Sequence, residues 1–506
     1  MLKRTRFEVA GRVAGLVALL VMAPAVASAA DAPSGGRFAW LDEFVPPLLT
    51  DFQVPGAAVV VVIGDEVAYQ GGFGVCDAES GTRVGPRTSF SIASASKAFT
   101  AAAAASVVET GKVGWDTPVR QVLEGFLVAD PMASERMTLR DLLAHRTGMA
   151  RHDMVLTNRE LSRSELVDGL HLLEAAGEFR DGFRYSDPMA AVAAEMLGRV
   201  VGSTWEQVVS EKLLAPLGMV HTTVGVPSGP GIELASPHVV FRGTLTRLDP
   251  LATDTMAPVT GLYSTAEDMA SWLRFQLAGG RLGDRQVVAE AALLETHSPQ
   301  IVIPTVGTPA LPMVAYGMGW RVMVWKGRKM LMQGGGAAGY NSQVALLPFE
   351  GVGVAVLTNS SLNPIGELVA TRALEVAVGM EPSQQVDRAK EVWAEVQEMR
   401  QAGLAQVRRF HDPSARPARP PVDYAGTFVH PLYGAVEVRK VEGGIGVRLQ
   451  GFDMTVEHLR NDLFMISHPL FDDLRLEFRV DPEGGVESLT VLLDPAVKAI
   501  EFVRTP

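Results

Sequence analysis

The chain has 506 residues, 47% of them hydrophobic and 20% charged, with 50 glycines and 31 prolines. This composition excludes a disordered, collagen-like or coiled-coil protein, and the length allows more than one domain. The net charge of -12 repels phosphate backbones, so no nucleic-acid partner is expected, and the single cysteine, Cys76, excludes an intrachain disulfide or a cysteine-ligated zinc site.

Lys3, Arg4, Arg6 and Arg12 surround the start of an apolar run over 13–22, and small residues end in Ala27-Ser28-Ala29. That is the three-part pattern of a secretory signal peptide over 1–29, with an apolar run too short to span a bilayer. The expectation is an exported protein, secreted or periplasmic, without stable membrane insertion once the signal is removed. A helix-like stretch then runs to about residue 52. Apolar runs at 57–63 and 67–73 around Gly64-Asp65-Glu66 read as a β-hairpin. Residues 96–110 are rich in alanine and free of Gly and Pro, and Gly111 follows: a helix with its C-terminal stop. Short helical patterns, among them 139–143, 159–173 and 189–200, fill the chain to about 275.

From 320 the period changes to strands, at 320–325, 329–333, 342–347 and 353–357, followed by a helix over 366–378. Strands near both ends of 50–380 with helices between them predict an α/β (α+β) domain, one sheet closed by both ends of the segment. Residues 383–409 form a charged amphipathic helix with Val386, Val392, Trp393, Val396 and Met399 on one side, and 411–421 is a Pro/Arg-rich linker. Short β-like runs at 434–438, 445–449, 474–480, 486–493 and 500–503 predict a small antiparallel barrel.

Ser94 and Lys97 stand three residues apart at the start of the alanine-rich helix, on one helical face. A serine hydroxyl needs a base to become a nucleophile, and a buried lysine can be that base. The helix N-terminus adds partial positive charge for a developing oxyanion. The alternative is a serine that caps the helix beside a solvated lysine. Tyr185-Ser186-Asp187 precedes the helical stretch 189–200, and a tyrosine can relay a proton to a leaving group; packing is its plainer role. Gln333-Gly334-Gly335-Gly336 ends a strand and offers close backbone approach and N–H donors, or forms a β-turn. His145 and His152 flank Arg146-Thr147-Gly148 without metal-ligand spacing, and His145 reads as stabilising its loop. Cys76 reads as a packed or partly exposed thiol with no catalytic role. No Gly-x-Ser-x-Gly elbow, His-Glu-x-x-His or Walker loop is present.

Taken in order, these motifs resemble the serine β-lactamases and penicillin-binding proteins, specifically the class C-like branch of β-lactamase-related hydrolases. The resemblance is carried by Val54-Pro55-Gly56, Ser94-Ala95-Ser96-Lys97, Leu142 to Gly148, Tyr185-Ser186-Asp187, Gly261 to Thr265 with Asp268, Tyr316 to Trp320, and Gln333-Gly334-Gly335, over about 37–380. Asp423 to Phe428, Tyr433-Gly434, His458-Leu459 and Asp462 to Phe464 resemble the lipocalin-like barrel that follows many of these hydrolases. The implied division is 1–29 signal peptide, 37–380 hydrolase, 381–421 helix and linker, and 422–506 barrel. The implied fold is an antiparallel sheet flanked by helices with a helical subdomain, and the implied site is the crevice between them. By resemblance Ser94 is acylated, Lys97 accepts or relays its proton, Tyr185 is the second proton-transfer group, and the backbone N–H groups of Ser94 and Gly336 form an oxyanion hole. Asp187, Gln333, Gly334 and Gly335 would contact substrate. No metal or organic cofactor is implied.

Two positions depart from the family pattern. Asp187 replaces an asparagine; a carboxylate there favours the lysine's ammonium form and pushes proton abstraction toward Tyr185 or higher pH. Gln333 replaces a lysine or histidine and cannot pair with a substrate carboxylate as a cation does. The expected activity is therefore cleavage of an ester, amide or peptide bond in a small molecule or peptide. The alternatives are an inactive β-lactamase-like binding or sensing protein, a true β-lactamase or D,D-peptidase, and an acyltransferase.

Overall fold

Residues 56–63, Gly-Ala-Ala-Val-Val-Val-Val-Ile, are almost wholly apolar, as a strand covered on both faces must be. The computed structural model, which describes residues 36–304, 311–409, 411–412 and 414–505, places them in an interior strand of a sheet, one strand in from its edge. The expected signal peptide lies outside the described residues. Strand β1 (Gly56–Ile63) pairs with β2 (Glu66–Gly74) on one side. Strands β3 (Ile301–Val302), β4 (Met313–Tyr316), β5 (Arg321–Trp325), β6 (Arg328–Ala337), β7 (Tyr340–Leu347) and β8 (Val352–Thr358) complete the sheet. Among the described residues its order is β3-β4-β5-β6-β7-β8-β1-β2, antiparallel throughout, so the first hairpin docks against the last strand as the sequence suggests.

Alternation along β1 divides the core. Val59 and Val61 pack with helices α1 (Leu41–Asp51) and α5 (Ile365–Ala377). Ala58, Val60 and Val62 face the opposite layer, which contains α2 (Ser96–Val108), α3 (Pro188–Val201) and α4 (Ala266–Leu277). Helix α2 runs through the middle of that layer. Its run of alanines leaves room for neighbours to approach closely, and the Phe99 ring stacks on Trp272 at 3.6 Å. Helix α6 (Val386–Arg408) lays Val386 and Trp393 against the α1/α5 cluster. Val392 and Met399 of the expected stripe remain exposed.

The C-terminal part is a closed antiparallel barrel: β9 (Gly426–His430), β10 (Gly434–Val441), β11 (Gly444–Leu449), β12 (Phe452–Arg460), β13 (Leu463–His468), β14 (Asp472–Val480), β15 (Val486–Val491) and β16 (Ile500–Arg504). Its interior is filled by aromatic side chains, with Tyr424 and Phe428 against Phe478. β9, β12 and β13 are additional to the strands read from the sequence. Among the described residues no helix is long and apolar enough to cross a membrane.

Phe99→Ala empties a fully buried ring site beside Trp272. The expected loss is about 3–5 kcal/mol, measured as a lower urea midpoint for unfolding of the full chain.

Candidate active site

The chain enters α2 through a single tight turn. After the short strand Phe90–Ser91, Ala93 adopts a left-handed φ of 46°, and Ala93–Ala95 form a 3-10 turn. A non-glycine residue in that region is strained and must be held by its surroundings. Ser91 Oγ accepts from the Ala93 N–H at 3.1 Å, and Ser342 Oγ donates to the Ile92 carbonyl at 2.5 Å. Ser94 therefore sits one turn before the α-helix and makes no capping bond, so the helix-cap alternative is not realised.

Lys97 lies one helical turn further and is 2% exposed, so it is not a solvated lysine. Its Nζ donates to Ser94 Oγ at 3.1 Å and to the Val259 carbonyl at 3.4 Å. The same nitrogen is 2.7 Å from Asp187 Oδ1, and it stands 4.9 Å from the centre of the Tyr185 ring. Asp187 is the residue just before α3 and is 6% exposed. Burial opposes its charge, but Lys97 and then Arg151 outweigh that and hold the carboxyl below the ordinary carboxylate range. The Tyr185 phenol is pushed well above its usual value by burial and by Asp187, against a weaker opposing effect of the Ser94 hydroxyl.

The glycine run completes the wall. Gln333 to Gly336 lie in the ladder opposite Val344, Gln343, Ser342 and Asn341, so they form the last turns of strand rather than a β-turn. A methyl group on Gly335 would fall 2.4 Å from the Ser94 nitrogen; only glycine permits this approach. Gln333 Nε2 donates to the Ser94 carbonyl at 3.2 Å and to the Gly334 carbonyl at 3.0 Å, while Oε1 accepts from the Tyr316 hydroxyl at 3.2 Å. That buried amide fastens the strand end to the Ser94 turn. Gly334 is half-buried and Gly336 exposed at the end of β6.

His145 also belongs to this wall. It has φ 54°, its Nδ1 accepts from the Ser186 N–H at 3.3 Å, and its ring packs 4.2 Å from Tyr185 and 4.9 Å from Tyr316. Burial, then the charge of Lys97, lowers its pKa to about 3, so the ring is neutral. It does stabilise a loop, and that loop carries the tyrosine. Below it the buried Asp141 accepts from Arg180 Nη2 at 2.6 Å and from Thr138 Oγ1 at 2.8 Å, and pairs with Arg146.

Sequence reasoning missed Arg151 and Asp153. The Arg151 side chain is 55% exposed at the mouth of the site, 5.2 Å from the centre of the Tyr185 ring and 3.9 Å from Asp187 Oδ2. Its Nη2 and Nε donate to Asp153 Oδ2 at 2.6 and 2.9 Å. Asp153 Oδ1 is buried without a hydrogen-bond partner. Burial, then the charge of Asp187, raises this carboxyl to about 7. The available signal was position alone: both residues closely follow the His145 to Gly148 motif. Cys76 is buried, and burial followed by its contact with Glu233 raises the thiol to about 12. Among the described residues no group of His, Cys, Asp and Glu is arranged to hold a metal ion.

Comparison with known proteins gives this geometry a family. The profile described as Beta-lactamase matches residues 41–378. The chain belongs to the beta-lactamase family. A domain of unknown function (DUF3471) matches 411–504. Among its relatives, the "Unguisins hydrolase ungD'" of Aspergillus campestris is 26% identical, covering 90% of this chain and 89% of its own. Penicillin-binding protein 4 of Amycolatopsis lactamdurans is 26% identical over 67% of this chain and 91% of its own. The solved structure of an octameric penicillin-binding protein homologue from Pyrococcus abyssi superposes with a TM-score of 0.61 at 19% identity, covering 92% of this chain and 99% of that one. At that identity the likeness is one of fold.

Asp187→Ala strands the Lys97 ammonium, and the expected destabilisation is about 3–5 kcal/mol; Asp187→Asn, which keeps an acceptor, costs less. Denaturant titrations of both variants check the order. The raised Asp153 carboxyl binds a proton in the folded state that the unfolded chain has lost, so folded stability falls as pH rises from about 4 to about 7. Asp153→Asn is expected to flatten that decline in melting temperature measured across the same interval.

Proposed function

We propose that this protein is a serine hydrolase of the class C-like branch that cleaves an ester or amide/peptide bond through an acyl-Ser94 intermediate. The observation that carries the reading is the buried Lys97 Nζ, within hydrogen-bond distance of both Ser94 Oγ and Asp187 Oδ1. Ser94 Oγ attacks the substrate carbonyl carbon. Its proton passes to Lys97 as Lys97 hands one of its own on toward Tyr185, so the ammonium relays the proton while Asp187 stays ionised. The raised pKa of Tyr185 supports a role as donor: the phenol protonates the leaving group and recovers its proton from the relay. The Ser94 and Gly336 N–H groups stabilise the oxyanion, and Gly334 and Gly335 line the substrate's path. Water then releases the acyl group and regenerates Ser94.

The substrate class follows from charge. Gln333 is neutral and engaged within the protein, and Arg151 is tied to Asp153, so a free substrate carboxylate finds no uncommitted partner among these groups. This favours neutral esters and amides over β-lactams and over peptides with a free C-terminal carboxylate. The relatives named as hydrolases of unguisins span both parts of the chain, which supports a hydrolytic role for the whole. We further propose the division 37–380, 381–421 and 422–506, a lipocalin-like character for the barrel, and export directed by residues 1–29.

A fluorescent alkyl phosphonate is expected to label the full-length protein on the peptide that contains Ser94, and Ser94→Ala to abolish the label. Lys97→Ala is expected to reduce turnover of a chromogenic ester by at least about a thousandfold. Labelling that persists in Ser94→Ala contradicts the mechanism; faster turnover of cephalosporins than of neutral esters contradicts the substrate class.

A further inference from the structure

The barrel reaches the site through one short segment. His152 is buried in a left-handed conformation, φ 47°, and three bonds fix it. Its N–H donates to Asp494 Oδ2 at 3.0 Å, its Nδ1 is 2.8 Å from the Tyr433 hydroxyl, and its Nε2 is 2.8 Å from the Glu174 carbonyl. Two of those three partners belong to the barrel: Tyr433 lies between β9 and β10, and Asp494 follows β15. Asp494 is itself fixed, since its Oδ1 accepts from the Ala496 N–H at 2.9 Å. The next turn is held from the same side. Gln450 Nε2 donates to the Met154 carbonyl at 2.9 Å, and Asn158 Nδ2 donates to the Leu432 carbonyl at 3.0 Å.

The neighbours of His152 on either side are Arg151 and Asp153, the two titratable groups that face Asp187 from this segment. A strained backbone persists only where its surroundings over-determine it. Here the surroundings are supplied by the barrel, and the strained residue aims its neighbours at Asp187 and Tyr185. We propose that Tyr433 and Asp494 are positioning residues of the hydrolase site, which by fixing His152 set where Arg151 and Asp153 stand against Asp187 and Tyr185. The inference deepens the reading of Ser94 as nucleophile and rests on it. It assigns the barrel a part in the chemistry that a cover or a stabilising appendage would not have.

The electrostatic setting of Asp187 comes from Lys97 on α2, from His145, Arg151 and Asp153 on the segment after the short helix Leu139–Leu143, and from Tyr185 on its own segment. Arg151 and Asp153 are the members of that set placed by the barrel. Loosening the barrel's hold on His152 leaves Ser94 and Lys97 in place but lets these two side chains move into water.

The test uses the full-length chain with Tyr433→Phe and Asp494→Asn, which keep side-chain volume. The control is Arg242→Gln, which removes a different barrel contact, the bonds of Arg242 to Asp473 and Ser467 at 2.7 and 3.0 Å. With a neutral chromogenic ester, both variants are expected to lose about ten- to a hundredfold in kcat, with a shifted pH profile and little change in KM; the control is expected to match the wild type. A second readout needs no substrate. In carbon-13 spectra of protein labelled at its aspartate carboxyls, Asp153 is expected to titrate near 7 in the wild type and in the control, and at lower pH in both variants. Folded variants with wild-type kcat, pH profile and Asp153 titration would overturn the proposal. If Ser94→Ala retains wild-type turnover, the reading of Ser94 is what fails, and the Asp153 titration still decides the role of Tyr433 and Asp494.

Discussion

The ion pair between Lys97 and Asp187 is the constraint around which the site is arranged. Removing two charges from water costs several kcal/mol per ion unless each finds a close partner. Here the ammonium has a carboxylate at 2.7 Å, a hydroxyl at 3.1 Å and a carbonyl at 3.4 Å. The hydroxyl is Ser94, so the buried charge is compensated in part by the group proposed as the nucleophile. The pair also ties α2 to the start of α3 within the helical layer that packs on the sheet. A site built this way is rigid because the alternative is an unpaired buried charge.

The frame around that pair reduces its freedom further. The left-handed Ala93 turns the chain sharply into α2, and the close approach of Gly335 to the Ser94 nitrogen brings β6 against the Ser94 turn. Gln333 fastens that strand end by bonding the Ser94 carbonyl. The two departures from the family pattern thus do different things. Asp187 sets the charge beside the lysine, whereas Gln333 is a neutral amide engaged in the scaffold. His145, neutral and wedged among Tyr185, Tyr316 and Phe183, sets the tyrosine ring by packing.

Much of this was legible in the sequence because it is local. The spacing of Ser94 and Lys97, the apolar run of β1 and the alanines of α2 each specify structure over a few residues. The glycine run was ambiguous: read alone, Gly334 to Gly336 suits a turn, and only the pairing with Ser342 and Asn341 makes it strand. Strands β12 and β13 were missed because Asp453, Glu457 and His458 interrupt the apolar pattern of β12, and a register shift after His458 breaks its alternation, so that Met454 and Leu459 are buried in different clusters. Arg151 and Asp153 gave no sign of their place because it depends on Asp187 and on the barrel, both distant in sequence. A role fixed by docking two parts of a fold leaves no periodicity to read.

The central claim, that Ser94 is transiently esterified by the substrate, is tested most directly by trapping the intermediate. The full-length protein is mixed with a neutral activated ester, quenched in acid within its first turnovers, digested and analysed by mass spectrometry. The account predicts the mass of the acyl group on the peptide that carries Ser94, appearing before steady-state product release and absent from Ser94→Ala. Steady turnover with that peptide unmodified at every quench time, and undiminished in Ser94→Ala, would contradict it.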